Sequence, residues 1–276
     1  MKVKKLISFI IMAVIFMSTI SLSGCGFHSE NQLKQTLENA LEAKYDEEFV
    51  CLDVWGNGGS SYWGVCAPEK NHDIRFEALF GADGHIAEEG YYAACVAEKI
   101  EEDVQKELEN VFNDFYLHSC MTVPLYSREN DDVYAENVRN ELFDIDKYVN
   151  LANEKWKDPP CISFALCINS SSENKLSFDE EYENLYKIFT QIEKSGIGTI
   201  PYIRFLPKNV YSQCTDYFEA GGVIKSTFKD MVRNYPIQIS NTTTLFVSFQ
   251  DGKLKLTKDE YIKQRKEVKS VVVFEI

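Results

Sequence analysis

Basic residues are scarce in this chain, and they are scarcest in its first half. Its 276 residues carry 29 lysines and arginines against 43 aspartates and glutamates. Residues 26–158 hold 29 acids and 11 bases, whereas residues 159–276 hold 14 acids and 15 bases. Phosphate backbones are bound by basic faces, so this balance excludes nucleic acid as a partner. It also excludes a body lying flat on anionic lipid. Histidine is rarer still, with His28, His72, His85 and His118 alone and none in HExxH spacing. His72 and His85 flank a predicted strand at opposite ends, so they read as isolated exposed side chains. His118 and Cys120 share a strand face at i, i+2, yet no neighbour marks the thiol as activated. There is no GxSxG elbow, P-loop, GxGxxG fingerprint or D-x-[DN]-x-[DN]-G calcium loop. No metal and no cofactor is therefore expected, and no catalytic residue can be named. No run of 18 apolar residues occurs in the body, so none of it is expected to cross a membrane.

The first 25 residues are of another kind. Met1–Lys5 carries three lysines and no acid, and Leu6–Ile20 is apolar apart from Ser8, Ser18 and Thr19. That apolar run falls short of the roughly 20 residues a span needs. A basic start, a short apolar run and small residues at the end describe a secretory leader. Leu22-Ser23-Gly24-Cys25 resembles the lipobox of bacterial lipoproteins. The resemblance implies cleavage after Gly24, a diacylglycerol on the Cys25 thiol, and a body tethered at the extracytoplasmic face of the cell membrane. Losing the three leader lysines takes the formal charge from −14 to −17.

Seven cysteines then remain, an odd number that cannot all pair within the chain: Cys51, Cys66, Cys95, Cys120, Cys161, Cys167 and Cys214. Disulfides form outside the cytoplasm. Phe49–Trp55 and Tyr62–Ala67 flank Asn57-Gly58-Gly59-Ser60, a hairpin signal. The glycine-rich run joins two strands and leads into no helix, so it is a turn and not a phosphate cradle. A turn centred between Gly58 and Gly59 sets Cys51 opposite Cys66 and Trp55 opposite Tyr62. Cys51 and Cys66 are then either a bridge or two small core residues.

The remaining pattern is α+β, in two small domains that each pack helices on an antiparallel or mixed sheet. Ser29-Glu30-Asn31-Gln32 is a capping box ahead of a Leu33, Leu37, Leu41 stripe. The hairpin, a strand at 74–80 and a helix from Tyr91 to about Phe115 follow. This helix–three-strand–helix outline is similar to cystatin-like domains. Residues 117–126 suit a strand and Asp131–Lys157 a mostly helical, acidic stretch. The division is then a leader (1–24), an acidic domain (25–125), a helical linker (126–158) and a second α+β domain (159–276). In the last, a strand at 161–168, a capped helix to Lys194 and a strand at 199–206 form a β-α-β unit. Beyond it come a short helix at 210–218, a strand at 237–240, a hairpin around Asp251-Gly252, a third capping box at Thr257–Glu260 and a final strand at 268–275.

Acid runs such as Asp179-Glu180-Glu181 read as solvated helix faces. Trp55, Tyr62 and Trp63 are the candidate binding surface, with Trp55 and Tyr62 on one sheet face and Trp63 on the other. The expectation is a non-catalytic envelope lipoprotein that binds a protein or peptide, with a basic one favoured by the acidic first half. The alternative is an envelope-acting hydrolase built on scattered carboxylates. A transporter's substrate-binding protein fits poorly, because no pair of alternating α/β lobes is present.

Overall fold

The computed structural model describes residues 28–56, 60–122, 131–140, 143–155, 160–219, 245–250, 253–254 and 256–270. The leader with its lipobox, the turn at 57–59 and the strands expected at 237–240 and beyond 270 lie outside these residues.

Helix α1 (Glu30–Tyr45) starts at Ser29, whose hydroxyl accepts from the Gln32 amide while Gln32 reaches back to the Ser29 amide. Leu33, Leu37, Leu41 and Tyr45 recur every four residues and are buried. They cover one face of an antiparallel meander made of β1 (Phe49–Gly56), β2 (Ser61–Pro68), β3 (Phe76–Gly81) and β4 (Ile86–Glu89), in that spatial order. The fourth strand is one more than the sequence suggested. It is only four residues long and has no fully buried position, so it leaves no apolar alternation to read. Gly64 allows the close approach of helix to sheet, since a Cβ there would lie 2.4 Å from Leu37 Cδ2.

Helix α2 (Tyr91–Leu108) follows. Its buried side chains belong to one continuous cluster that also takes in residues of a second sheet. That sheet has the order β5 (Phe115–Thr122), β6 (Cys161–Asn169), β7 (Gly198–Leu206), β8 (Leu245–Gln250), β9 (Lys253–Leu254). β5 precedes the boundary expected at 125 but pairs antiparallel with β6 beyond it, from Phe115↔Ile168 to Thr122↔Cys161. Its alternating Leu117, Ser119 and Met121 are buried. Between β5 and β6 lie α3 (Asp131–Arg139) and α4 (Ile145–Lys155). The fold is thus α+β, with an antiparallel sheet and a mixed one.

β6 and β7 are parallel neighbours joined by α5 (Phe178–Lys194), as the β-α-β pattern requires. Ser177 and Glu180 cap α5 reciprocally. α5 buries Leu185, Ile188 and Phe189, and also Glu181. Helix α6 (Lys208–Glu219) follows β7, and α7 (Lys258–Ser270) closes the described chain. α7 runs through positions 268–270, where a strand was expected, because the Thr257–Glu260 capping box starts a helix that nothing interrupts.

Gly196 ends α5 at φ +90°, and a Cβ there would stand 2.9 Å from Val149 Cγ1 on α4. Gly196→Ala is expected to lower stability by about 1–2 kcal/mol, the cost of holding an L-residue in left-handed backbone. Urea unfolding of the two proteins checks this.

Candidate functional site

The hairpin sets the two cysteines as expected and re-pairs the aromatic residues. Cys51 faces Cys66 across β1 and β2. Immediately beyond, Leu52 is extra and the register slips by one residue. The Cys51 amide donates to Glu38 Oε1 on α1 at 2.8 Å. The slip puts Trp55 opposite Trp63, not Tyr62, and Tyr62 opposite Gly56. Trp55 and Trp63 therefore share a face. Tyr62 turns to the other, where its ring lies 5.8 Å from that of buried Phe80 and packs against the core. The aromatic surface proposed from sequence is thus a tryptophan pair. The bulge explains the error, because one inserted residue reverses the facing of all that follows.

His118 has a partner that the strand pattern did not name: it stands on β5 with Nδ1 3.9 Å from Glu101 Oε2 on α2. Glu101 accepts from the Ser119 amide, and the Ser119 hydroxyl donates to the Ala97 carbonyl at 3.2 Å, so β5 is fastened along α2. Burial first, then the charges of Glu98 and Asp73, push the Glu101 carboxyl up to about 7 against the pull of the Ser119 hydrogen bonds. Burial and the nearby Arg75 charge push His118 down to about 4. Glu98 is also raised, by burial and by Asp73 and Glu102. Both shifts favour the neutral forms, a carboxylic acid and a neutral imidazole, over an ion pair.

Other acid runs are neutralised locally. Glu89 accepts from the Tyr91 amide, the first of α2, at 2.6 Å and pairs with Lys44 at 3.1 Å. Glu47 pairs with Lys70 at 2.7 Å and accepts from the Tyr91 hydroxyl at the same distance. Lys99 answers Glu102, and Lys106 answers Asp103. Asp73, Glu98 and Glu101, by contrast, take no lysine or arginine partner among the described residues. This ridge, where α2 meets the β2–β3 loop and β5, is the candidate site. Sequence reading missed it because its members are 45 positions apart at the extremes, Asp73 to His118. The signal within reach was Glu101 at i+3 from Glu98 on one helix face.

Burial, with the charge of Glu77, pushes the Cys120 thiol up to about 11, so the His118–Cys120 pair is not an activated nucleophile. Among the described residues no three His, Cys, Asp or Glu side chains converge to hold a metal ion.

No protein-family model matches the chain, and no curated protein sequence matches it. A solved structure does: the crystal structure of a DUF5037 family protein from Ruminococcus gnavus superposes with a TM-score of 0.62 at 17% identity. The match covers 84% of this chain and 98% of that one. At this identity the likeness shows the fold alone.

Proposed function

We propose that the chain is an extracytoplasmic protein, tethered through lipid on Cys25, that binds a basic peptide or protein along the Asp73–Glu98–Glu101 ridge. The observation that carries this reading is the gathering of three carboxylates without a lysine or arginine partner, where burial first and their mutual repulsion second hinder the ionisation of Glu98 and Glu101. A cationic side chain arriving there would relieve that repulsion and let both carboxyls ionise. The 29 acids of residues 26–158 would draw such a partner in from a distance. The Trp55–Trp63 pair offers apolar area on the first sheet, where a peptide's uncharged part can lie. Among the described residues no helix is long and apolar enough to cross a membrane. In this reading the anchor is the lipid on Cys25, and each buried CH₂ of an acyl chain adds about 0.8 kcal/mol.

The test uses an oligo-lysine peptide and the mature chain. Binding is expected to weaken as salt rises, and to release protons near pH 6–7 as Glu101 ionises. Asp73→Asn with Glu98→Gln removes two partly exposed pairings of about 0.2–1 kcal/mol each, so affinity should fall roughly several-fold. Salt-independent binding, or none, would sink the reading. Mass spectrometry of the mature N-terminus tests the anchor: an unmodified Cys25 would remove it.

A further inference from the structure

The sequence offered one candidate cysteine pair, and the fold brings a second together. β6 alternation puts Cys161, Ser163, Ala165 and Cys167 on the sheet face opposite Ile162, Phe164 and Leu166, which enter the main core. On that opposite face Cys167 packs with Leu206 and with Cys214 of α6 in a small separate cluster. Cys167 is 1% exposed and Cys214 0%, and both are free thiols in this structure within one three-residue cluster. In the first sheet Cys51 and Cys66, also buried, are direct cross-strand partners.

We propose that Cys167 and Cys214 form a disulfide tying α6 to β6, and that with Cys51–Cys66 it accounts for all the intrachain bridges of this protein. The other three cysteines have no such neighbour among the described residues. Cys95 lies on α2 beside Tyr91. Cys120 and Cys161 are diagonal across β5 and β6, because Cys120 faces Ser163 and Cys161 faces Thr122. Diagonal positions lie about 7–8 Å apart, beyond what a bridge spans without backbone movement.

The chemistry is thiol–disulfide exchange with a disulfide oxidant, either a protein dithiol oxidase or oxidised glutathione. The Cys167 thiolate attacks one sulfur of the oxidant, forming a mixed disulfide and expelling a thiolate. The Cys214 thiolate then attacks the Cys167 sulfur, closing the bridge and expelling the second thiolate. Two electrons pass to the oxidant and two protons leave the cysteines. Beside Cys214 and buried, the docked Cys167 thiol is held well above the ordinary thiol range despite the Arg204 charge, so the attack takes place while the pair is still open to solvent. Since both sulfurs are closed off once α6 docks, exchange belongs to folding and not to the finished protein. The longer loop, from Cys167 to Cys214, makes this the more stabilising of the two bridges.

The presence of an oxidant in the cell rests on the extracytoplasmic reading; the pairing does not. The mature chain is refolded from denaturant with a glutathione redox pair, denatured, blocked with iodoacetamide and mapped by mass spectrometry without reduction. Three blocked cysteines, with peptides linked 51 to 66 and 167 to 214, are expected. Seven blocked cysteines, or a linkage through Cys95, Cys120 or Cys161, would overturn the proposal. Protein taken from the cell envelope is mapped in parallel. Linked peptides after refolding but seven free thiols from cells would uphold the pairing and overturn the location. As a second readout, oxidation should raise the unfolding midpoint of the natural chain by more than that of Cys214→Ala, and equal rises would count against the bridge.

Discussion

Arg265→Met is expected to destabilise the protein by about 3–5 kcal/mol, because it strands a carboxylate in the core. Arg265 is 2% exposed and Glu181 1%. The guanidinium forks onto Glu181, with Nε donating to Oε1 at 2.6 Å and Nη2 to Oε2 at 3.1 Å. The buried Tyr261 hydroxyl also donates to Oε1. The guanidinium carbon lies 3.9 Å from the Phe205 ring centre and 4.8 Å from that of Phe178, so aromatic faces take the place of water on the cation. Glu181 is on α5, while Tyr261 and Arg265 are on α7, so this cluster clasps the two helices over β7. Methionine fills much of the same volume and keeps the apolar contacts. What is lost is the charge, and Glu181 must then be buried unpaired or take up a proton. The double variant Glu181→Leu, Arg265→Met is expected to recover most of the loss, because an apolar pair needs no compensation for desolvation. Chemical unfolding of the three variants decides. A single variant within about 1 kcal/mol of the natural chain would show that the clasp is solvated, as ordinary surface pairs are.

Glu181 also shows where sequence reading reached its limit. The capping boxes at Ser29, Ser177 and Thr257 were legible, since each is a local exchange between a hydroxyl and a residue three positions on. So were the apolar stripes of α1 and α2, the β6–α5–β7 crossover and the Cys51–Cys66 register. Glu181 belongs to a charge run and reads as solvated. Its counter-charge is 84 residues away, so only tertiary packing turns it inward. The clue present was its position four residues before Leu185, on the buried stripe. β5 joins the second sheet because its partner strand lies across two helices, and pairing over such a distance leaves no trace in local periodicity. At the bulge the Cys51 amide turns to a side chain of α1, again a contact no hairpin rule supplies. The candidate ridge failed for the same reason, its members being contributed by a loop, a helix and a strand.

The ridge makes its own prediction about pH. Glu101 is held at about 7 in the folded chain against an ordinary 4.5, so the fold binds its proton more tightly than the unfolded chain does. That contribution is present below pH 4.5 and is lost as pH rises through 7. His118 is held at about 4 against an ordinary 6.5, so the fold favours its neutral form. Its contribution is present above pH 6.5 and is lost as pH falls through 4. Each amounts to about 3 kcal/mol over its range, at roughly 1.4 kcal/mol for each tenfold change in proton affinity. Between pH 4.5 and 6.5 the two slopes oppose each other and nearly cancel. Removing one group should therefore expose the other. Glu101→Gln, compared with the natural chain, should gain stability progressively between pH 4.5 and 7.5. His118→Gln should show the reverse, its relative stability declining from pH 4 to pH 6.5. Taking differences against the natural chain removes the carboxylates common to both proteins. Urea unfolding at pH 4, 5.5 and 7.5 supplies those differences. Flat differences for both variants would mean that water reaches the Glu101–His118 contact, and that α2 and β5 do not seal it.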